Sequence, residues 1–134
     1  MGWIYAGGKT NQKTNAYAKN GESNQKYLSS RVGTIRHDEG NFLVFKYLEV
    51  FDTDRATTQA IEGHMRYMMT REGWQNVQND HFVWSTTPEK KMADYMRFAE
   101  RSMFYAKQYC DLIGVKYVEH DGDMTARRTC KHRK

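Results

Sequence analysis

The chain has 134 residues and 15.8 kDa, enough for one core and too short for a large multidomain enzyme. Leu, Ile, Val and Phe number only 21 and the mean hydropathy is -0.91, but nine Tyr, eight Met and three Trp supply apolar bulk, so the expected core is aromatic and Met-rich rather than aliphatic. The net charge of +5 is unevenly spread: +5 over residues 1–36, -3 over residues 37–119 and +3 from His120 onward. Two basic ends flanking a mildly acidic middle suit an anionic polymer as partner, and fit equally a plain solvated surface with a basic tail.

Trp3 to Ala6 reads as a short strand, ended by Gly7-Gly8 and a polar loop, and a weaker strand centred on Tyr17 closes a hairpin. Ser23 or Asn24 then caps a helix on which Leu28, Val32 and Ile35 form an apolar stripe, with Lys26, Arg31 and Arg36 on its polar faces. Phe42 to Phe51 is dense in aromatic and β-branched residues and reads as the central, most buried strand. Asp52-Thr53-Asp54 supplies caps for a second helix, in which Ile61, Met65 and Met68 step by four and three with Glu62 and Arg66 beside them.

Trp74 to Asp80 is loop-like, and His81 to Ser85 alternates as a short edge strand. Thr87-Pro88 opens a helix of about 25 residues whose Met92, Met96, Ala99, Met103, Ala106, Cys110 and Ile113 are spaced by three and four up to Gly114. Val115 to Val118 adds a short strand. The fold class is α+β: a small antiparallel sheet, elements in the order β-β-α-β-α-α, covered by helices with a long C-terminal one. One domain over residues 1–119 and a basic, disordered tail over 120–134 complete the organisation. The Met series reads as core packing or as a helix partner surface, through which a homodimer would form.

Cys110 sits in the helical pattern and Cys130 in the tail, so free thiols are expected rather than a disulfide. Cys130-x-His132 lacks a second pair for zinc, and Gly7 to Thr10 lacks the upstream Gly and following helix of a phosphate loop. His64 and His81 have no ligand-like spacing. No apolar run approaches the roughly 18 residues of a membrane span, and no basic stretch leads into an apolar one at the N-terminus. Chemistry rests instead on the order Tyr5, Tyr17, Arg31, Glu62. A phosphodiester nuclease needs a Tyr or water for proton transfer, an Arg against phosphate charge and a carboxylate for a divalent metal.

With these residues in this order, the sequence resembles the GIY-YIG nuclease superfamily, in its divergent branch of small phage and bacterial proteins related to a fungal meiotic gene product. The first motif stands as Gly2-Trp3-Ile4-Tyr5, with Trp in place of the motif's Gly, and the second as Tyr17-Ala18-Lys19-Asn20-Gly21, with the Ile lost and a Gly displaced by two. Tyr27 to Val32 is similar to the segment carrying the family's catalytic Arg, Ala60 to His64 to the segment with its metal-binding Glu, and Asp80 to Trp84 to the closing acidic-aromatic motif. The resemblance covers residues 2–85.

It implies a metal-dependent endonuclease acting on DNA; with neither a span nor an N-terminal signal read from the sequence, the expected location is the cytoplasm, the host's if the chain is phage-encoded. Tyr5 and Tyr17 would stand beside the scissile phosphate, Arg31 would steady it, and Glu62 would bind Mg²⁺ or Mn²⁺, for which a single carboxylate is chemically sufficient. Lys19, Lys26, Arg36, His37, Arg127 and Arg128 are the expected nucleic-acid contacts. Other readings of the same residues stay open: Tyr5 and Tyr17 as half-buried sheet residues, Arg31 and His37 as solvated groups, Glu62 as the i,i+4 partner of Arg66. At the level of the protein the alternatives are a catalytically inactive nucleic-acid-binding or regulatory protein on the same fold, and a protein-binding module using the last helix.

Overall fold

The computed structural model describes residues 2–9, 18–28, 42–78, 81–83 and 91–122. Within them lie the strands β1 (Gly2–Lys9), β2 (Ala18–Ser23), β3 (Phe42–Val50), β4 (Gln75–Gln78), β5 (His81–Val83) and β6 (Tyr117–Asp121), and the helices α1 (Arg55–Glu72) and α2 (Lys91–Ile113). All six strands form one antiparallel sheet in the order β4-β5-β2-β1-β3-β6. The α+β class holds, with more strands than expected. The helix expected after Ser23 lies, beyond Leu28, outside the described residues, as do Tyr17, Arg31, Arg36, His37, Arg127 and Arg128.

Local signals account for the two helices. Asp54 accepts from the Thr57 amide at 2.8 Å and from its hydroxyl at 2.7 Å, which caps α1. At the other end Gly73 takes φ 114°, and the amides of Gly73 and Trp74 return to Thr70 O and Met69 O, both at 3.1 Å. Helix α2 closes the same way at Gly114, φ 76°, with the Val115 amide on Cys110 O at 2.9 Å. Ile61, Met65 and Met69 of α1, with Tyr95, Phe98, Ala99, Met103, Ala106 and Cys110 of α2, bury against Ile4, Ala6, Ala18, Phe45, Leu48 and Val50. Of the Met series, Met103 is thus core and Met96 packs against that core, while the Met92 side chain lies outside the described residues. Burial pushes the Cys110 thiol up to about 11, which makes it an inert packing group.

The opposite face of the sheet carries a second cluster: Trp3, Tyr5, Leu28, Phe42, Val44 and Tyr47, each at most 1% exposed. Both faces of β1 are therefore buried, the two parities of one strand filling two cores. Three expectations are corrected here. Gly7-Gly8 does not end β1; the register shifts at Ala6/Gly7 opposite Lys46 and Val44, and a Cβ on Gly7 would collide with Leu43 O, so the glycine permits a bulge. The bulge explains why Phe45 and Tyr47, two residues apart, are buried on different faces: the strand's parity switches between Val44-Phe45 and Tyr47-Leu48. Gln75–Gln78, read as loop, pairs with β5. The boundary placed at residue 119 falls inside β6, whose Tyr117–Asp121 pair with Val50–Lys46. After it the Gly122 amide donates to Phe45 O at 2.6 Å, so the described fold reaches Gly122. No helix among the described residues is long and apolar enough to cross a membrane.

Candidate active site

Strand β2 meets β5 only through Ala18 and Lys19, so its Asn20 to Ser23 half has no strand partner on that side among the described residues. Beside this half, α1 starts at Arg55 and runs past it, and the two elements enclose a cleft of about 420 Å³ lined by Glu22, Ser23, Asn24, Gln25, Arg55, Glu62 and Arg66. Parity in β2 sets the wall: the Asn20 amide donates to Ser102 Oγ of α2 at 3.1 Å, which puts even-numbered β2 residues on the helix side. Glu22 follows on that side.

Two carboxylates and two guanidinium groups share this cleft. Glu62 Oε2 accepts from Arg66 at 2.7 Å one helical turn on, with the two side chains 18% and 25% exposed. Glu22 is fixed from below: fully buried Thr58, one turn before Glu62, places its hydroxyl 3.0 Å from Glu22 Oε1 and against the Asn24 side-chain amide. Arg55 is exposed at the first position of α1, where the helix dipole disfavours a cation and the first turn carries no acid. The fixed charges in the cleft sum to zero, two Glu against two Arg.

From the cleft-lining Ser23, Asn24 and Gln25 the chain runs on to Leu28 as an anchored arc. The Gln25 amide donates to Ser23 Oγ at 3.1 Å, the Trp3 indole Nε1 donates to Gln25 O at 2.9 Å, and Leu28 is buried in the aromatic cluster. Between these anchors Gln25 and Lys26 are exposed and Tyr27 is half-buried, with the Lys26 ammonium 5.4 Å from the Tyr27 ring centre.

The residues singled out from sequence separate. Glu62 lies in the cleft, and its pairing with Arg66 is realised. Tyr5 does not join it: the ring is fully buried among Trp3, Phe42 and Tyr47, on the sheet face away from α1, and its hydroxyl lies over Gly21, where a Cβ would come within 2.6 Å of it. The reason is parity, since Ile4 and Ala6 take the helix side and force Tyr5 to the other. Lys19, expected as a surface contact, is only 3% exposed, because odd β2 residues share the buried face. Lys26 is exposed as expected.

Sequence reasoning passed over Glu22, Asn24, Gln25 and Arg55. Glu22 had a signal, being the one acid among the first 36 residues, and Arg55 another, a cation at a helix start. Among the described residues no three His, Cys, Asp or Glu side chains form a metal cluster. Glu22 and Glu62 are the hard oxygen donors lining the cleft; a divalent cation such as Mg²⁺ takes one or two protein carboxylates and keeps its remaining ligands as water. No family model matches the chain, and no curated protein or solved structure matches it.

Proposed function

We propose that the chain is a metal-dependent endonuclease of GIY-YIG type that cleaves phosphodiester bonds of DNA in the cytoplasm, using the cleft beside β2. The observation that carries this reading is the convergence of Glu62 and Glu22 with Arg55 and Arg66 on one concave polar surface. Mg²⁺ or Mn²⁺ at Glu62, when bound, supplies charge stabilisation at the leaving oxygen. Arg55 and Arg66 offset the charge developing on the phosphoryl oxygens, Arg66 exchanging part of its contact with Glu62 for the phosphate. Glu22, fixed by Thr58, accepts a hydrogen bond from the attacking water and orients it. Tyr5 has no part in this scheme; Arg31 and Tyr17 keep the roles the resemblance gives them.

The test is a gel assay of single- and double-stranded DNA and RNA with Mg²⁺, Mn²⁺ or EDTA. Cleavage that needs the metal is expected, and intact substrate under every condition overturns the reading. A second reading, a nucleic-acid-binding protein on the same fold without cleavage, is favoured by one observation: the burial of Tyr5 away from Glu62. Binding in EDTA without cleavage in Mn²⁺ would select it.

A further inference from the structure

The segment that leads out of the cleft carries chemistry that phosphate hydrolysis does not require. Next to the cleft-lining amides of Asn24 and Gln25 come a cation and an aromatic ring, Lys26 and Tyr27, on a segment anchored through Ser23, Trp3 and Leu28. We infer that this site takes single-stranded nucleic acid, one unpaired nucleotide entering the cleft while the neighbouring base stacks on Tyr27. The inference rests on the cleft being the site of the proposed function and names the substrate form.

Three observations converge on it. The cleft, about 420 Å³, has the size of a small-molecule pocket, for which roughly 300–1,000 Å³ is usual. One nucleotide fits such a concavity, whereas a duplex is a convex rod whose base edges are reached by elements that protrude into its grooves. The cleft itself is charge-balanced, two Glu against two Arg, so it lacks the many uncompensated cations by which a duplex's condensed counterions are displaced.

Finally, the cleft-lining Asn24 and Gln25, with Lys26 and Tyr27 next to them in the chain, match the needs of a strand with free bases. An aromatic face stacks any base, a lysine follows the backbone, and Asn and Gln amides pair with exposed base edges. Because the backbone arc is already held by the Trp3 indole and the Ser23 hydroxyl, these groups need little ordering on binding.

The experiment is fluorescence anisotropy on the full chain in EDTA, with a labelled ten-nucleotide DNA, the same sequence as RNA, and a blunt twenty-base-pair duplex. The expected result is affinity for a single strand at least tenfold above the duplex. Tyr27→Ala should lose roughly 5- to 150-fold of single-strand affinity, the worth of one stacked base, and Tyr27→Phe should restore it. Gln25→Ala, at an exposed side chain whose backbone makes the anchoring contacts, gives a second readout independent of the ring and should lose several-fold. Tyr67→Ala, an exposed tyrosine of α1 that does not line the cleft, should change nothing. Equal or tighter duplex binding overturns the inference, as does single-strand affinity unmoved by both Tyr27→Ala and Gln25→Ala. Single-strand preference in EDTA with no cleavage in Mn²⁺ upholds the inference and removes the nuclease reading instead.

Discussion

Helix α1 carries two carboxylate–arginine pairs, and they are built for different purposes. At its C-terminal end Glu72 is saturated: Arg101 of α2 donates through Nε to both oxygens at 2.8 and 3.1 Å and through a terminal nitrogen at 2.6 Å, Tyr105 adds a bond of 2.6 Å and the Trp74 indole one of 3.1 Å. These partners, Arg101 first, hold the Glu72 carboxyl down at about 2. Near the middle of the helix Glu62 meets Arg66 of the same helix, at the wall of a cleft. The first pair ties two helices together through four donor contacts from α2, with a fifth from Trp74 just beyond α1. The second joins two residues of one helix at the wall of a cleft, so its ion pair is not itself a tie between elements.

The sharpest break of this comparison is to truncate each acid in turn. Glu62→Ala should lower cleavage by at least about a hundredfold, as expected when a group stabilising transition-state charge is lost. Thermal midpoint and nucleic-acid affinity in EDTA should stay near those of the parent chain. Unchanged cleavage would remove Glu62 from the mechanism and leave it the plain i,i+4 pair it also resembles.

Glu72→Ala should do the reverse, leaving cleavage rates intact while costing roughly 1–2 kcal/mol of stability, because Arg101, Tyr105 and Trp74 each lose an acceptor. The same pair gives a pH signature. Glu72 ionises at about 2 in the folded chain against 4.5 ordinarily, so its contribution is complete above pH 4.5 and disappears as the pH falls from there toward 2. With the Arg101 side chain 38% exposed, solvent screening reduces that contribution to about 1 kcal/mol. Urea melts at pH 6 and pH 3 check it: the gap between parent and Glu72→Ala should narrow on acidification, and a gap that widens would contradict the assignment.

A smaller effect is expected from the chain beyond β6. Gly122 is pinned by its amide to Phe45 O, and its Cα sits where a Cβ would collide with Val44 O, so truncation after it keeps every described contact. The removed residues hold Arg127, Arg128, Lys131, Arg133 and Lys134. If these meet phosphates, the slope of log affinity against log salt should become shallower by several contacts. Superimposable slopes would exclude the tail as a contact.

Legibility from sequence followed the range of the determining interaction. Both described helices were readable because Asp54, Gly73 and Gly114 act within one turn, and β3 because its composition is strongly apolar. Strand β4 (QNVQ) owes its state to its partner β5, its polar composition carrying no alternation of its own, and β6, expected as a short strand at Val115 to Val118, runs on to Asp121 because it pairs with β3. The site suffered from the same limit. Glu62 was visible, but its companions Glu22 and Arg55 come from separate elements, and only the packing of α1 on β2 unites them. Tyr5 was misplaced for a related reason. Odd and even residues of β1 are equally apolar, so the strand does not announce which face the helices will cover.

That placement of Tyr5 yields the smallest expected effect, and it separates the two faces of the sheet most directly. Its ring packs edge-on to Phe42 at 6.1 Å between centres, and its hydroxyl occupies the space above Gly21 that a Cβ would need. On these contacts Tyr5 is a packing residue, and Gly21 is small because Tyr5 is large. Tyr5→Phe should therefore leave cleavage within twofold and cost no more than about 1 kcal/mol, the usual worth of one hydroxyl's hydrogen bond. Gly21→Ala should destabilise the chain more strongly, since the added methyl would lie 2.6 Å from the hydroxyl oxygen and 2.8 Å from the ring carbon bearing it. Tyr5→Phe should relieve only part of that clash, because the ring carbon remains. A large loss of cleavage in Tyr5→Phe with an unchanged thermal midpoint would mean that its hydroxyl takes part in the reaction. The aromatic face, not the β2 cleft alone, would then have to open to substrate.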